Sequence, residues 1–193
     1  MTTATRQRIL ETAAQLIHRQ GYNRTGIQEI LQAAGVPKGS FYFYFKSKED
    51  LGLALIEFFG AFWRQQAEAV LDDESQPPLV RLERFFAGFQ EYFGQQGCAG
   101  GCPVGNLAQE MGDLSPAFGQ KLCQAIDFMA SRVARVLEQA LRAGDLPPGS
   151  DPAALAYFII ASWQGALIRM KACKDLAPLD NFQRMVFGRL LAG

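Results

Sequence analysis

The sequence predicts an all-α protein of about nine helices, in which an N-terminal three-helix domain precedes a larger helical bundle. Apolar residues recur with helical period along nearly the whole chain. Capping residues and prolines separate these periodic segments. No segment alternates between apolar and polar residues over a length that would form a strand. With 193 residues, 49% of them hydrophobic, the chain can bury a substantial core.

The first two helices are predicted from an apolar stripe and from capping signals. Gly21 ends the first stripe, as glycine commonly does at a helix C-terminus. A capping box begins the second helix, in which Thr25 caps and the Gln28 side chain reaches back. The segment Gly35-Val36-Pro37 ends this helix. The apolar residues of the first helix are Ile9, Leu10, Ala13, Leu16 and Ile17.

Five consecutive aromatic residues, Phe41–Phe45, follow this turn. Their propensity favours a strand. A lone strand would leave its backbone polar groups unpaired, and the sequence offers no partner strand. We therefore predict a short helix whose Phe41 and Phe45, four residues apart, face inward.

Two short helices joined by a tight turn and braced by an earlier helix form a helix-turn-helix, which binds DNA through its second helix. In the first turn of that helix, Lys38 can approach a phosphate or a guanine edge, and Gly39 lets the backbone come close. Phe43 offers an apolar surface to a thymine methyl group. Thr25 and Lys48 lie at helix N-termini, which favour phosphate. The candidate DNA contacts are Thr25, Lys38, Gly39, Ser40, Tyr42, Phe43, Tyr44 and Lys48.

The distribution of charge supports a DNA-binding head. Residues 1–50 hold seven Lys or Arg and four Asp or Glu, whereas the whole chain carries 19 of each sign. A basic head on an acidic body suits a head that meets phosphate and a body that does not.

The remaining residues, 51–193, are predicted to form the larger bundle. Ser47 caps a long helix over 48–71, which an acidic, proline-containing linker follows. Ser115 and Asp151 each precede a proline at the first position of a helix. Further helices are predicted at 79–95, 103–111, 116–143, 152–172 and 179–191.

Residues 6 to about 55 resemble the DNA-binding domain of the TetR family of repressors. The resemblance implies a homodimer that binds a palindromic double-stranded DNA operator through residues 1–50. It also implies that a small-molecule or electrophile inducer, acting on the sensing and dimerisation domain 51–193, releases the DNA. The family's DNA contacts map onto the eight residues named above, with Phe43 at a position that often holds histidine. The matching residues are Thr25, Ile30, Ala34-Gly35-Val36-Pro37-Lys38-Gly39-Ser40-Phe41-Tyr42, Phe45-Lys46-Ser47-Lys48-Glu49 and Leu51.

A glycine-rich segment places two cysteines ahead of the predicted helix that begins at Pro103. Cys102 would be the N-cap of this helix, where the positive end of the helix dipole favours a reactive thiolate. Cys98 lies four residues earlier and could act as a resolving partner. The alternative is that Cys102 is a small buried residue beside a glycine turn.

Residues 101–114 resemble the matching segment of electrophile-sensing members of the TetR family. This resemblance implies that Cys102 senses electrophiles or oxidants together with a lysine late in the penultimate helix, which is Lys171 here. Lys171 can also be read as a solvated charge at a helix end. The Gly105-Asn106-Leu107 sequence looks more like small-molecule-responsive members, so a purely non-covalent sensor with Asn106 as a ligand contact is the alternative.

Aromatic residues are dense in the predicted bundle, and most of them are expected to be packed core. Ligands of helical bundles bind between the helices, so some aromatic side chains should line a cavity there. The candidates for this lining are Phe89, Tyr92, Phe93 and Trp163.

The last two predicted helices carry apolar residues on more than one face, which indicates a partner helix pair. The TetR family dimerises through such a four-helix packing, and the alternative is burial within one chain. The candidate interface residues are Leu155, Phe158, Ile159, Phe182 and Val186.

Enzyme, metal and membrane functions find no support in the sequence. It has no P-loop, no dinucleotide-binding glycine motif and no metal-ligand cluster beyond the pair Cys98 and Cys102, and its single histidine, His18, has no triad pattern around it. The longest apolar run, 153–163, is shorter than the roughly 18 residues that span a bilayer. Residues 1–8 lack the apolar stretch of a signal peptide, so we expect a cytoplasmic protein without cofactor or metal. A helical partner-binding adaptor without DNA affinity is the remaining alternative.

Overall fold

The structure, a computed structural model, describes residues 3–192. In this range the chain forms nine α-helices and no strand, which confirms the predicted fold class. A 3-10 turn, Lys38–Ser40, leads into the third helix, and a π-helical turn, Val186–Leu190, continues the ninth. The helices are α1 (Thr3–Gln20), α2 (Ile27–Ala33), α3 (Phe41–Tyr44), α4 (Lys48–Leu71), α5 (Pro78–Gln95), α6 (Pro103–Met111), α7 (Pro116–Ala143), α8 (Pro152–Cys173) and α9 (Ala177–Met185).

The chain divides into two compact units. The first unit runs to Ala61 and also includes Pro103–Ala125, whereas the second comprises Phe62–Cys102 and the chain from Ile126 onward. Thus α6 and the start of α7 belong to the same unit as α1–α3. The domain boundary at residue 50 stays a prediction.

The helix caps of α4 and α8 lie where the sequence predicts them. The Asp151 carboxylate accepts the backbone N–H groups of Ala153 and Ala154 at 3.0 and 3.1 Å. The Ser47 hydroxyl oxygen accepts the N–H of Asp50 at 3.1 Å. Both contacts satisfy N–H groups that have no partner within the helix.

The predicted capping box of α2 is wrong. This helix begins at Ile27, so Gly26 occupies the N-cap position, and no side chain caps it. Thr25 is instead fully buried, and its hydroxyl donates to the Gly21 carbonyl at 2.7 Å. Because the preceding turn offers the hydroxyl an acceptor, the side chain closes that turn rather than capping α2.

The first unit packs α3 beneath its neighbouring helices through large apolar side chains. The turn ahead of α3 requires Gly35, which has a φ of +62° in the left-handed region. The N–H of Val36 closes this turn by donating to the Leu31 carbonyl at 3.0 Å. The fully buried residues of this core include Ile9, Ile30, Phe41, Phe45, Leu51 and Leu55.

Aromatic side chains form the core of the second unit. The Phe86 ring centroid lies 5.1 Å from those of Trp163 and Phe182, so that α5, α8 and α9 meet in one cluster. Arg81 of α5 is a buried charged residue of the same unit. Its guanidinium donates to the Leu71 carbonyl at 2.6 Å and to the Gln139 side chain at 2.8 Å, which joins α4, α5 and α7.

The apolar segment in α8 is longer than the sequence analysis predicted. By length and composition, Pro152–Cys173 is the one helix within residues 3–192 that could cross a membrane, and 39% of its apolar window is buried. The predicted segment ended at Gln164, whereas α8 continues with the apolar residues Ala166, Leu167, Ile168 and Met170, with Arg169 among them. A core or subunit-interface helix meets the same criterion, so this helix is weak evidence for a membrane.

Candidate nucleic-acid interface and signal-sensing residues

The short helix α3 presents a sharp division between buried and exposed aromatic side chains. Phe41 and Phe45 are 0% and 1% exposed, and their ring centroids lie 5.7 Å apart. Tyr42 and Phe43 are 70% and 75% exposed. This confirms the predicted inward positions and leaves two large aromatic side chains facing solvent.

The 3-10 turn before α3 adds a polar and open surface. Lys38 and Gly39 are exposed, whereas Ser40 and Tyr44 are half-buried. A Cβ built on Gly39 would meet no atom within 4 Å, so the backbone there is open to approach. Among the predicted contact residues 38–44, Lys38, Gly39, Tyr42 and Phe43 are therefore exposed, and Phe41 is the one that is buried.

Two predicted DNA contacts have partners within the chain. Thr25 is fully buried and therefore presents no hydroxyl to solvent. Lys48 is half-buried at the start of α4, where its ammonium donates to the Asn23 carbonyl at 3.4 Å and lies 4.5 Å from the centre of the Tyr22 ring. Burial lowers the pKa of Lys48, and the charge of Glu110 partly opposes this shift.

Tyr22 and Glu110, which lie in the same unit, belong to this site although the sequence did not predict them. The backbone N–H groups of Tyr22 and Asn23 both donate to the Glu110 carboxylate, each at 3.1 Å. Burial, followed by the negative charge of Glu49, raises the pKa of Tyr22 to about 12. A carboxylate in the last turn of α6 opposes the helix dipole, and this is the sequence signal that marks Glu110 as unusual.

The two cysteines of the glycine-rich segment differ in environment. Cys98 is buried and has a φ of +55°, which is rare for residues other than glycine. Its N–H donates to the Phe93 carbonyl at 2.9 Å and that of Gly97 to Gly94 at 3.0 Å, the Schellman pattern that ends α5. Cys102 is half-buried and directly precedes α6, as predicted.

The other candidate sensor residues are dispersed over three helices. Phe93 and Trp163 are buried, and Trp163 belongs to the aromatic core with Phe86 and Phe182. Phe89 is half-buried and lies 5.2 Å from Phe85, measured between ring centroids. Tyr92 is exposed on α5, Asn106 is half-buried on α6, and Lys171 is exposed on α8.

Three of the predicted dimer residues are core residues of the protomer. Ile159, Phe182 and Val186 are between 0% and 4% exposed, because α8 and α9 pack on each other within one chain. Leu155 is half-buried, and Phe158 is 57% exposed. A helix that is apolar on several faces does not reveal from its sequence which face points inward.

An open groove of about 820 Å³ lies between α8 and the chain segment of α9 with its π-helical turn. Exposed apolar side chains project at its edges, with Met185 at 50% exposure and Leu190 at 38%. The residues that line it include Phe158, Ser162, Ala166, Phe182, Met185, Val186 and Leu190.

No group of three or more His, Cys, Asp or Glu side chains within the described residues could hold a metal ion. All four cysteines are thiols in the structure.

Comparison with known proteins decides the family. Residues 9–55 match the family described as bacterial regulatory proteins, tetR family, and residues 78–186 match the tetracyclin repressor-like C-terminal domain. The chain belongs to the TetR family. Transcriptional regulator AcuR of Cereibacter sphaeroides is 38% identical to this TetR family chain over 95% of the chain and 83% of AcuR. The repressor DhaR of Mycobacterium sp. is 35% identical, with 98% and 93% covered.

A third relative of this TetR family chain, the repressor NemR of Escherichia coli, is 33% identical, with 92% of the chain and 89% of NemR covered. The crystal structure of a regulatory protein TetR from Rhodobacter sphaeroides matches with a TM-score of 0.88 and 38% identity, covering 95% and 96% of the two chains. The reduced form of Escherichia coli NemR matches with a TM-score of 0.87 and 29% identity, covering 96% and 97%. These relatives are transcriptional regulators and repressors rather than enzymes, and the chain is a TetR family transcriptional repressor with a helix-turn-helix.

Proposed function

We propose that this repressor binds a palindromic DNA operator as a homodimer, with the exposed side of residues 38–44 in the major groove. The observation that carries the proposal is the division within α3, where Phe41 is buried while Tyr42 and Phe43 are 70% and 75% exposed. Buried anchors fix the helix, and the exposed side chains are then free to meet base edges. Because its proposed target is DNA, we place the repressor in the cytoplasm.

The proposed contacts divide into phosphate and base contacts. Lys38 supplies charge to a phosphate or a guanine edge, and Ser40 supplies a hydroxyl. Tyr42 offers a further hydroxyl, and the open backbone at Gly39 allows close approach. Tyr44 and Lys48 contribute from the edges of this surface, whereas the buried Thr25 acts indirectly by closing the turn before α2.

The groove between α8 and α9 supports the dimer. It exposes Phe158, Met185 and Leu190 to solvent, and its lining includes small side chains such as Ala166. A second copy of α8 and α9 would cover this apolar surface through a two-fold interface. Two copies of α3 related by such an axis can bind the two halves of a palindromic operator.

We also infer that a small molecule, or a reactive electrophile or oxidant, releases the DNA. The half-buried Cys102 directly ahead of α6 supports a thiol trigger, and the relative NemR was crystallised in a reduced form. The half-buried Phe89 and the exposed Tyr92 on α5 are the aromatic candidates for the alternative of a non-covalent ligand, since Phe93 and Trp163 are buried in the core.

The DNA proposal is tested with duplexes that the wild-type protein selects from a random library. Affinity should fall steeply as salt rises, because phosphate contacts release counterions. Tyr42→Ala should weaken binding about tenfold or more with unchanged helicity, since it removes one exposed contact. Val80→Ala, which truncates an exposed apolar residue on α5, is the control and should bind normally. A protein that binds no duplex even at low salt would support the adaptor alternative.

The trigger is tested by treating the protein–duplex complex with N-ethylmaleimide or hypochlorite. If Cys102 is the sensor, Cys102→Ser binds DNA normally and is not released by these reagents. Cys123→Ser, which removes an exposed thiol from α7, should be released like the wild type. Release of Cys102→Ser at the wild-type rate would favour a non-covalent ligand.

A further inference from the structure

Glu110 connects α6 to the turn between α1 and α2. This residue lies in the last turn of α6, and its two carboxylate oxygens accept the backbone N–H groups of Tyr22 and Asn23 at 3.1 Å. The two donors are 88 and 87 residues away in the sequence. They directly follow Gly21, where α1 has ended.

Helix stability does not explain a carboxylate at this position. The last turn of a helix carries partial negative charge from its unsatisfied carbonyl groups, so Glu110 is unfavourable for α6 itself. The fit to the turn is also close. A Cβ on Gly21, whose φ is +94°, would lie 3.0 Å from one carboxylate oxygen of Glu110. The Glu110 carboxylate therefore fits the α1–α2 turn, whereas the stability of α6 alone would favour a residue without negative charge at this position.

The same turn holds the first residue of α4. Lys48 donates to the carbonyl of Asn23 and lies against the ring of Tyr22, the two residues whose N–H groups Glu110 binds. Burial disfavours the charged form of Lys48, and the nearby Glu110 favours it. One carboxylate on α6 thus fixes a backbone turn of the predicted DNA-binding domain, residues 1–50, which we call the reading domain. It also fixes the surroundings of a lysine at the N-terminus of α4.

We propose that Glu110 is a positioning residue, which holds the α1–α2 turn and Lys48 in the arrangement that binds DNA. The proposal rests on the proposed function as a DNA-binding repressor and names the side chain that fixes this turn. Charge-assisted hydrogen bonds to backbone N–H groups are about twice as strong as neutral ones, so their loss should change the population of the binding state.

The test compares Glu110→Gln with Asp113→Asn on a duplex selected by the wild-type protein. Both variants remove one negative charge, and Asp113 is exposed just beyond the end of α6. Charge alone predicts tighter binding in both variants, because DNA is a polyanion. The positioning role predicts the opposite for Glu110→Gln, since an amide offers only one acceptor to the two N–H groups. We expect its affinity to fall about tenfold while that of Asp113→Asn is unchanged or rises slightly.

Amide hydrogen exchange supplies a second readout, which is measured in the wild-type protein as well as in the variant. In the wild-type protein, the Tyr22 and Asn23 amides should exchange more slowly with the selected duplex than without it. Glu110→Gln should lose this protection while retaining that of the buried core. The positioning role is overturned if Glu110→Gln binds the duplex as tightly as Asp113→Asn does. It is also overturned if the duplex does not alter the exchange of the Tyr22 and Asn23 amides in the wild-type protein. A wild-type protein that selects no duplex overturns the proposed function instead.

Discussion

At the scale of single residues, the exposure of the apolar Phe43 side chain is best explained by a binding partner. It is 75% exposed on α3, and its ring lies 5.0 Å from that of Tyr44, measured between centroids. An exposed phenyl ring in the major groove can contact the C5 methyl group of thymine, the one apolar group that base pairs present there. The hydroxyls of the neighbouring tyrosines have no such selectivity for a methyl group.

We therefore predict that Phe43 makes binding sensitive to thymine methyl groups. Replacing single thymidines of the selected duplex by deoxyuridine should weaken wild-type binding about fourfold at the contacted position, the value of one buried methyl group. Phe43→Ala should bind the thymidine and deoxyuridine duplexes equally, as measured by fluorescence anisotropy. Tyr42→Phe is the control that should keep the methyl sensitivity. Equal binding of every substituted duplex by the wild type contradicts this role.

Tyr22 makes the stability of the reading domain sensitive to alkaline pH. Its pKa is raised from 10.0 to about 12, first by burial and then by the charge of Glu49. Because the folded pKa exceeds the unfolded one, the unfolded chain loses the phenol proton first as pH rises, and unfolding becomes easier between pH 10 and about 12.

Tyr22→Phe keeps the ring that packs 5.2 Å from Phe118, measured between centroids, and removes the titrating hydroxyl. We expect the free energy of unfolding of the wild type to fall more steeply than that of Tyr22→Phe between pH 10 and 12, as followed by urea titrations. Below pH 10 the two slopes should coincide. Identical slopes up to pH 12 would show that the hydroxyl titrates alike in both states.

At the scale of helices, the cap of α8 supports the element that carries both the aromatic core and the groove. Asp151 accepts two N–H groups, and Pro152 follows at the first helical position. We predict that Asp151→Ala lowers the free energy of unfolding by about 1 kcal/mol in urea titrations. Asp151→Ser retains an oxygen acceptor and should recover most of that loss. Equal destabilisation by both substitutions would assign the effect to charge rather than to the cap.

Helix boundaries were predictable because caps and prolines are local signals. The predicted beginnings of α4, α6, α7 and α8 coincide with the structure, and that of α5 lies within one residue. The predicted cap of α2 was wrong because the Thr25 hydroxyl donates to the Gly21 carbonyl of the preceding turn. A capping pattern in the sequence does not show this competing acceptor. The contact of Glu110 with Tyr22 was not predictable either, since periodicity carries no information across 88 residues.

At the scale of the whole molecule, the sequence indicated that the last two helices carry more apolar surface than one chain can bury. It did not indicate which face of these helices remains open. Within α8, Ile159 and Trp163 point to the core of the protomer, while Phe158 stays 57% exposed. Phe182 and Val186 are likewise buried within one chain. Packing of α8 on α9 selects these faces, and this packing depends on contacts that the pattern of one helix does not contain.

The groove between α8 and α9 therefore leads to the prediction that Phe158→Glu separates the subunits. A two-fold interface repeats the same patch on both subunits, so one substitution places two carboxylates in a surface that a dimer would desolvate. Size-exclusion chromatography with light scattering should show a dimeric wild type and a monomeric variant of unchanged helicity. The variant should bind the palindromic duplex no better than a half-site, whereas Val80→Glu, with its charge on α5, should stay dimeric. A dimeric Phe158→Glu would show that the subunits meet elsewhere, and DNA affinity would then have to be explained without this groove.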